Sequence, residues 1–430
     1  MKPVELLVIG AGSRGNSYSR YTQAYPERAR VVGLAEPRDH YRERLVREYE
    51  IAPERVFTDW RQAVELPKFA DAVIITTQDA QHMEPAVAFA QKGYDILLEK
   101  PMAPDVESCR TIVETAEAVG DIIFAVCHVM RYTPYTKQVK KLVDAGVIGD
   151  IVSIQHLEPV GYWHHAHSFT RGNWRNEAES SFMLLAKSCH DIDWLRHIIG
   201  QPCVQVSSFG SLKQFRKESK PSEAGEAKRC LDCAYEEQCA FSAKRFYLKA
   251  LRAKKFSWPL DVITTDLSEE GVIDALRNGP YGRCVYECDN DVVDHQVVNL
   301  LYENGATAVF TMIAQTEQRD RETIIFGTKG ELRGNGREIV VYDFLTEQKT
   351  TYEPYKELEE AAKKANKNPH GGHGGGDFGI MDHFIEAVAQ RDPRLVLSGP
   401  QETLESHLTV FAAEQARREN RIVAVKELYA

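Results

Sequence analysis

Residues 4–15 read VELLVIGAGSRG, an apolar run of strand length that breaks into glycines at Gly10, Gly12 and Gly15 and then enters the helical stretch NSYSRYTQAYPERA. Strand, tight glycine turn and helix in that order form the context that a G-x-G-x-x-G pattern needs if it is to hold a dinucleotide. Gly10 permits the turn, Gly12 lets a pyrophosphate approach the backbone, and Gly15 lets the helix lie close to its strand. The helix start, with Ser13 and Arg14 as its first side chains, then offers the phosphates its N–H groups and the positive end of its dipole. Outside that context the same glycines would describe only a tight loop.

The next apolar run, RVVGLAE, ends at Glu36, where an acidic side chain accepts hydrogen bonds from the adenosine ribose and favours NAD. Arg38 offers a partner to a 2′-phosphate, which keeps NADP open. The alternation continues through helix RDHYRERLVREY, strand DAVIITT, helix MEPAVAFAQKG, strand YDILLEKP, helix DVESCRTIVETAEAVG and strand IIFAVCHV. Strand-length apolar runs alternating with helical stretches predict an α/β doubly wound parallel sheet with ligands at the carboxyl ends of its strands. Those ends carry TTQDAQH (Thr76–His82), EKP (Glu99–Pro101) and CHVMRY (Cys127–Tyr132). Thr77, His82, Glu99 and Lys100 are therefore expected beside the cofactor.

At 430 residues the chain is too long for one ordinary core, and two domains are expected. The formal charge of −10 argues against a nucleic-acid partner, which needs a dense basic surface. No apolar run approaches the roughly 20 residues of a membrane span. The start, MKPVELLVIGAG, enters a strand directly, and nine cysteines fit a reducing compartment, so the expected location is cytoplasmic.

GAGSRG, Glu36, TTQDAQH and EKP in this order resemble the glucose-fructose oxidoreductase, inositol dehydrogenase and rhizopine-catabolism family, Gfo/Idh/MocA. RYTPYTKQVKKLVDAGVIGDIVSI resembles its helix leading into the second domain, CHDID its His-x-x-Asp element, and ETLESHLTVFAAEQARRENRIVAV its closing helix, here about 401–420. The resemblance implies a Rossmann domain over 1–128 and a substrate and oligomerisation domain of α+β type over 129–430, with an open, mainly antiparallel sheet. It implies that Lys100 handles the substrate hydroxyl beside the nicotinamide, with Glu99 orienting it and Pro101 shaping the loop. Independently, oxidising a secondary alcohol needs a base for the hydroxyl proton as hydride leaves carbon.

The resemblance makes His190 the second catalytic candidate and Asp193 its trailing carboxylate, but Ala186 stands where the family has an aspartate, and Lys187 brings a positive charge beside it. Lys187 either lowers the pKa of Lys100, or binds an anionic or heavily oxygenated substrate, or points to solvent. The stretch GYWHHAHSFTRGNWRN, with His164, His165, His167, Arg171, Trp174 and Arg175, sits where the family places a substrate loop. Aromatic rings with arginine and histidine suit a carbohydrate; Tyr132, Arg171 and Trp174 are its expected contacts, and a metal at the histidines is the lesser alternative. In NPHGGHGGGDFG, His370, His373 and Asp377 either reach the active site or, for Asp377, cap the following helix.

An insertion over about 211–257 contains Cys230, Cys233 and Cys239, and Cys284 or Cys288 would complete a tetrahedral set. Four thiolates on a structural zinc would staple such a segment; ordinary buried thiols are the other reading. VVNLLYENGATAVFTMIAQ, RETIIFGTKGELRGN and EIVVYDFLTEQKTTYEP read as paired strands of the second domain, whose sheet implies a homodimer or homotetramer. The leading expectation is an NAD-dependent oxidoreductase acting on a secondary hydroxyl of a sugar, cyclitol or sugar acid. The alternatives are a glycoside-cleaving enzyme using transient oxidation and elimination, and a non-catalytic nucleotide-binding protein.

Overall fold

The computed structural model describes residues 2–356, 359–360 and 372–429. Its first sheet contains β1 (Val4–Ile9), β2 (Ala29–Ala35), β3 (Val56–Phe57), β4 (Ala72–Ile75), β5 (Asp95–Leu98) and β6 (Phe124–Val126). All pairings are parallel, in the order β3-β2-β1-β4-β5-β6. Leu6, Leu7, Val8 and Ile9 of β1 are all buried, because helices cover both faces; this is why the strand reads as an apolar run and not as an alternation. Strand order reverses between β1 and β4, and at such a switch point the carboxyl ends open a ligand crevice.

One covering helix comes from the far end of the chain. Ile380, Met381 and Phe384 of the helix Gly376–Gln390 share a core with Leu6, Tyr18, Tyr21 and Ile74. The Rossmann unit is thus completed by residues well outside 1–128, a contact that local periodicity does not reveal.

The second sheet is mixed and mostly antiparallel. It contains β7 (Ile151–Pro159), β8 (Cys203–Ser211), β9 (His295–Tyr302), β10 (Thr307–Ile313), β11 (Glu322–Gly327), β12 (Gly330–Gly334), β13 (Ile339–Asp343), β14 (Lys349–Tyr352) and β15 (Val423–Ala424). Their order is β14-β13-β12-β11-β7-β10-β9-β8-β15, and β7 with β10 is the parallel pair. The β9–β10 turn uses Gly305 at φ +85°. Helices Cys189–Ile199 and Pro400–Glu419 cover the inner face, where Trp194 stacks on His156 with ring centroids 4.8 Å apart. The other face carries a depression of about 570 Å³ whose lining includes Gln155, Leu157, Val309, Thr311 and Ile324.

The segment between β8 and β9 runs from 212 to 294, longer than the insertion of about 211–257 read from the sequence. The extension is physical: Val272 and Leu276 of the helix Glu269–Asn278 complete the same small core as Ala243, Tyr247 and Leu248 of the helix Ala243–Arg252.

Arg131 joins the two units. Wholly buried, it gives Nε and Nη2 to the two oxygens of Asp193 at 2.7 Å each and Nη1 to Glu402 at 2.7 Å, and it also donates to the Leu397 carbonyl. Ser406 adds a 2.9 Å hydrogen bond to Asp193. Removing one partner of such a pair strands the other charge without water. Arg131→Met is therefore expected to lower stability by about 3–5 kcal/mol, read as a shift in the urea midpoint; an unchanged midpoint would contradict this role.

Candidate active site

The glycine turn has the shape of a dinucleotide cradle. Gly10 sits at φ +92°, and a Cβ there would lie 2.7 Å from the Thr76 carbonyl oxygen; one on Gly15 would lie 2.0 Å from the Gly10 oxygen. At Gly12 the nearest atom to an added Cβ is Arg38 Nη2 at 3.5 Å. Gly12 is the N-cap of the helix Ser13–Ala24, with no side chain capping it and no acid in its first turn. An open helix N-terminus beside glycine backbone fits a pyrophosphate, so this chain's residues fit NAD.

Glu36 closes the adenosine end. Its carboxylate accepts from the Ala11 amide at 2.7 Å, the Arg38 amide at 3.0 Å, Arg38 Nε at 2.7 Å and Arg38 Nη2 at 2.9 Å. Against the upward push of burial, these donors hold the Glu36 carboxyl below its ordinary value. Arg38, half-exposed and lying over the Tyr41 ring, is the partner a ribose would displace. Thr77 donates to the Gln81 carbonyl, and His82 lies with Nδ1 2.7 Å from the Pro101 oxygen and Nε2 3.3 Å from the Thr77 oxygen. His82 therefore ties the loop after β4 to the one after β5.

In that second loop the Lys100–Pro101 bond is cis. Glu99 accepts the Lys100 amide at 2.6 Å, Arg14 Nε at 2.5 Å and the Tyr18 hydroxyl at 2.8 Å. Arg14 also donates to both oxygens of Asp377, at 2.8 and 3.0 Å, and Asp377 in turn lies 2.9 Å from His373 Nδ1. Arg14, expected at the phosphates, is thus committed to two carboxylates. Asp377 is neither the N-cap nor outside the helix: it lies in the first turn of Gly376–Gln390, whose N-cap is Gly375. Burial would raise its carboxyl, but Arg14 and His373 hold it well below the usual range. His370 lies outside the described residues.

The Lys100 side chain donates from Nζ to the Ala186 carbonyl oxygen at 2.8 Å. Ala186 ends the helix Met183–Ala186, and His190 lies in the first turn of Cys189–Ile199. The His190 ring stands 5.8 Å from His128 and 6.2 Å from His373 by centroids, and its buried Nδ1 has no hydrogen-bond partner. Burial first, then the charge of Lys100, pushes the His190 imidazole well below its ordinary pKa. Lys187 is paired, its Nζ lying 2.9 Å from Glu158, which Arg321 meets at 3.0 Å; Arg321 also bonds Asp191 at 2.6 Å, and Asp191 meets His156 at 3.1 Å. Glu158, Asp191 and Arg321 escaped the sequence reading because they come from separate elements. Across the cleft, Asp79 accepts from Ser180 at 3.5 Å; burial raises its carboxyl, while His82, Lys100 and the Trp174 side chain counter it. Trp174 therefore reaches the cleft, and Asp79, inside TTQDAQH, was the overlooked acid.

Other expected contacts are used elsewhere. Asp193 is taken by Arg131, and the Tyr132 hydroxyl binds Ser398 and the Leu397 amide. Arg171 donates to the carbonyls of Arg283 and Phe241 at 2.7 and 2.8 Å and to Cys230 Sγ at 3.5 Å. His165 stacks on Phe215 and His167 bonds the Tyr247 hydroxyl, so both are core rings of the insertion. The zinc expectation is likewise corrected. Cys230, Cys233, Cys239 and Cys284 line one cavity of about 20 Å³, but the Arg171 guanidinium shares it. Burial pushes the Cys284 thiol up to about 11. Among the described residues, no group of three or more His, Cys, Asp or Glu is placed to hold a metal.

The model of an oxidoreductase family with an NAD-binding Rossmann fold matches residues 4–128, and that of the family's C-terminal alpha/beta domain matches 140–425. The protein described as "Putative oxidoreductase YteT" of Bacillus subtilis is 26% identical over 364 residues, covering 84% of this chain and 82% of its own. The 2,7-anhydro-N-acetylneuraminate hydratase of Escherichia coli is 26% identical over 47% of this chain and 51% of its own. An oxidoreductase from Agrobacterium radiobacter, solved with NAD+, L-tartaric acid and magnesium, superposes with a TM-score of 0.70 at 13% identity, covering 99% of each chain. At that identity the likeness is one of fold.

The buried histidines make stability depend on pH. Burial lowers His128 and His167 to about 3 and His165 and His407 to about 4. The unfolded chain therefore takes up these protons first as pH falls through about 6.5, and stability is lost from there toward each folded value. The carboxylates held low, Asp191, Asp193 and Asp377, add their loss only below about 4. The melting temperature is expected to be level above pH 7 and to fall steadily from pH 6.5 to 4.5; a curve level down to pH 4 would contradict the buried neutral histidines.

Proposed function

The chain belongs to the Gfo/Idh/MocA oxidoreductase family, and from that premise we propose that it is an NAD-dependent dehydrogenase of a secondary hydroxyl on a sugar, cyclitol or sugar acid. The observation that carries this reading is Lys100, whose Nζ is held 2.8 Å from the Ala186 oxygen between the nucleotide cradle and the helix Cys189–Ile199. NAD, when bound, supplies the hydride acceptor. The Lys100 amine, in its neutral form, takes the hydroxyl proton as the carbon–hydrogen bond breaks, leaving a ketone. Glu99 fixes the Lys100 backbone, and the Ala186 carbonyl aims its side chain. Asp79 and Trp174 stand where substrate hydroxyls would be held, and His190, buried and unpaired at Nδ1, is placed to exchange the proton with Lys100.

A second reading, transient oxidation followed by elimination of a glycosidic bond, is favoured by the alanine at 186 and by a relative named as a hydratase. Release of nitrophenol from a nitrophenyl glycoside with no net NADH would select it. The nine free cysteines support a reducing, cytoplasmic location. No helix among the described residues is long and apolar enough to cross a membrane.

We also propose a homo-oligomer through the open face of the second sheet, where Val309 is 37% exposed beside the depression. Light scattering is expected to give a dimer or tetramer that Val309→Lys dissociates; a monomeric wild type would contradict this.

For the chemistry, Lys100→Met is expected to cut NADH formation from polyols, read at about 340 nm, by roughly 10²–10⁴, with NADH binding kept. Undiminished NADH formation in that variant would contradict Lys100 as the base.

A further inference from the structure

The cleft wall beside Lys100 has donors left over and few acceptors. Lys100 gives Nζ to the Ala186 carbonyl and Lys187 gives Nζ to Glu158; an ammonium has three N–H donors, so each retains capacity. Arg321 uses Nε on Glu158 and Asp191 and Nη2 on Asp191, at 3.0, 2.6 and 3.2 Å. Glu158 takes one cation on each oxygen, and Asp191 takes Arg321 and His156. Two histidines flank the group, each with a buried Nδ1 that has no partner. His164 lies in the field of Lys187 and Arg321, and His190 in that of Lys100 and Arg321. Lys187 and Arg321 come from different elements, meet at Glu158 and remain 18% and 22% exposed.

A neutral polyol does not complete this wall, since every hydroxyl brings a donor of its own along with its acceptor. A carboxylate brings acceptors only. Lys187 and Arg321 are balanced by Glu158 and Asp191, so the corner offers N–H donors with no surplus of charge, which suits a monoanion better than a phosphate dianion. Asp79 stands on the opposite, Rossmann side with Ser180 and Trp174, where it serves substrate hydroxyls. We propose that the substrate is a sugar acid whose carboxylate docks between Lys187 and Arg321, with its reacting hydroxyl at Lys100. The placement of the reacting hydroxyl rests on the dehydrogenase reading; the carboxylate corner does not.

Binding to the NADH-loaded protein tests it without turnover. Titration calorimetry with D-glucuronate, D-galacturonate and D-gluconate is compared with D-glucose, D-galactose and D-glucose 6-phosphate. At least one acid is expected to bind tenfold or more tighter than its neutral counterpart and than the phosphate. Lys187→Met is expected to erase that preference and Lys187→Arg to restore most of it; Glu158 keeps Arg321 in both variants, and matching thermal melts confirm folding. Neutral sugars or the phosphate binding as tightly as the acids, no acid binding at all, or an unchanged preference in Lys187→Met would each overturn the proposal. Acid binding without NADH formation from NAD leaves the corner standing and removes the dehydrogenase reading alone.

Discussion

Arg14 holds the site together. From the first turn of the helix after the glycine loop, its guanidinium reaches Glu99 on one side and Asp377 on the other. Glu99 in turn grips the amide of Lys100, and Asp377 holds the ring of His373. Three distant stretches of chain thus meet around one half-buried cation. Desolvating one guanidinium and two carboxylates is costly, and the arrangement persists because nearly every oxygen finds a donor, Tyr18 included. Its product is positional: the loop bearing Lys100 cannot shift without uncovering charge.

The parallel sheet was legible because a strand buried on both faces leaves an apolar run between glycine and helix signals. The glycine turn, Glu36 and the EKP loop were legible for the same reason, since each lies at a strand end. The Arg14 cluster was not, because Asp377 arrives from more than 360 residues away in sequence and no local period records it. Arg131 and Asp193 show the converse failure. A His-x-x-Asp spacing puts His190 and Asp193 on one helix face, but the Asp193 oxygens are taken by Arg131 and Ser406. Three clustered cysteines invited a metal, but Arg171 lines the same small cavity and bonds Cys230 Sγ.

Ala186 and Lys187 mark where this chain departs from the family pattern. With no carboxylate at 186, Lys100 is oriented by a backbone carbonyl, which accepts a hydrogen bond but carries no charge. The neighbouring lysine is bound into a chain of alternating charges through Glu158, Arg321 and Asp191 to His156. The polar wall is therefore held in place by paired charges. Such preorganisation lets a site orient a substrate before chemistry begins.

The central claim is that a carbon-bound hydrogen of the substrate passes to the nicotinamide at the face guarded by Lys100. Mass spectrometry of the coenzyme after incubation with sugar acids and polyols deuterated at each carbinol carbon tests it most directly. The account predicts NADH one mass unit heavier from one labelled position, abolished by Lys100→Met. Coenzyme of unshifted mass from every labelled compound would contradict it.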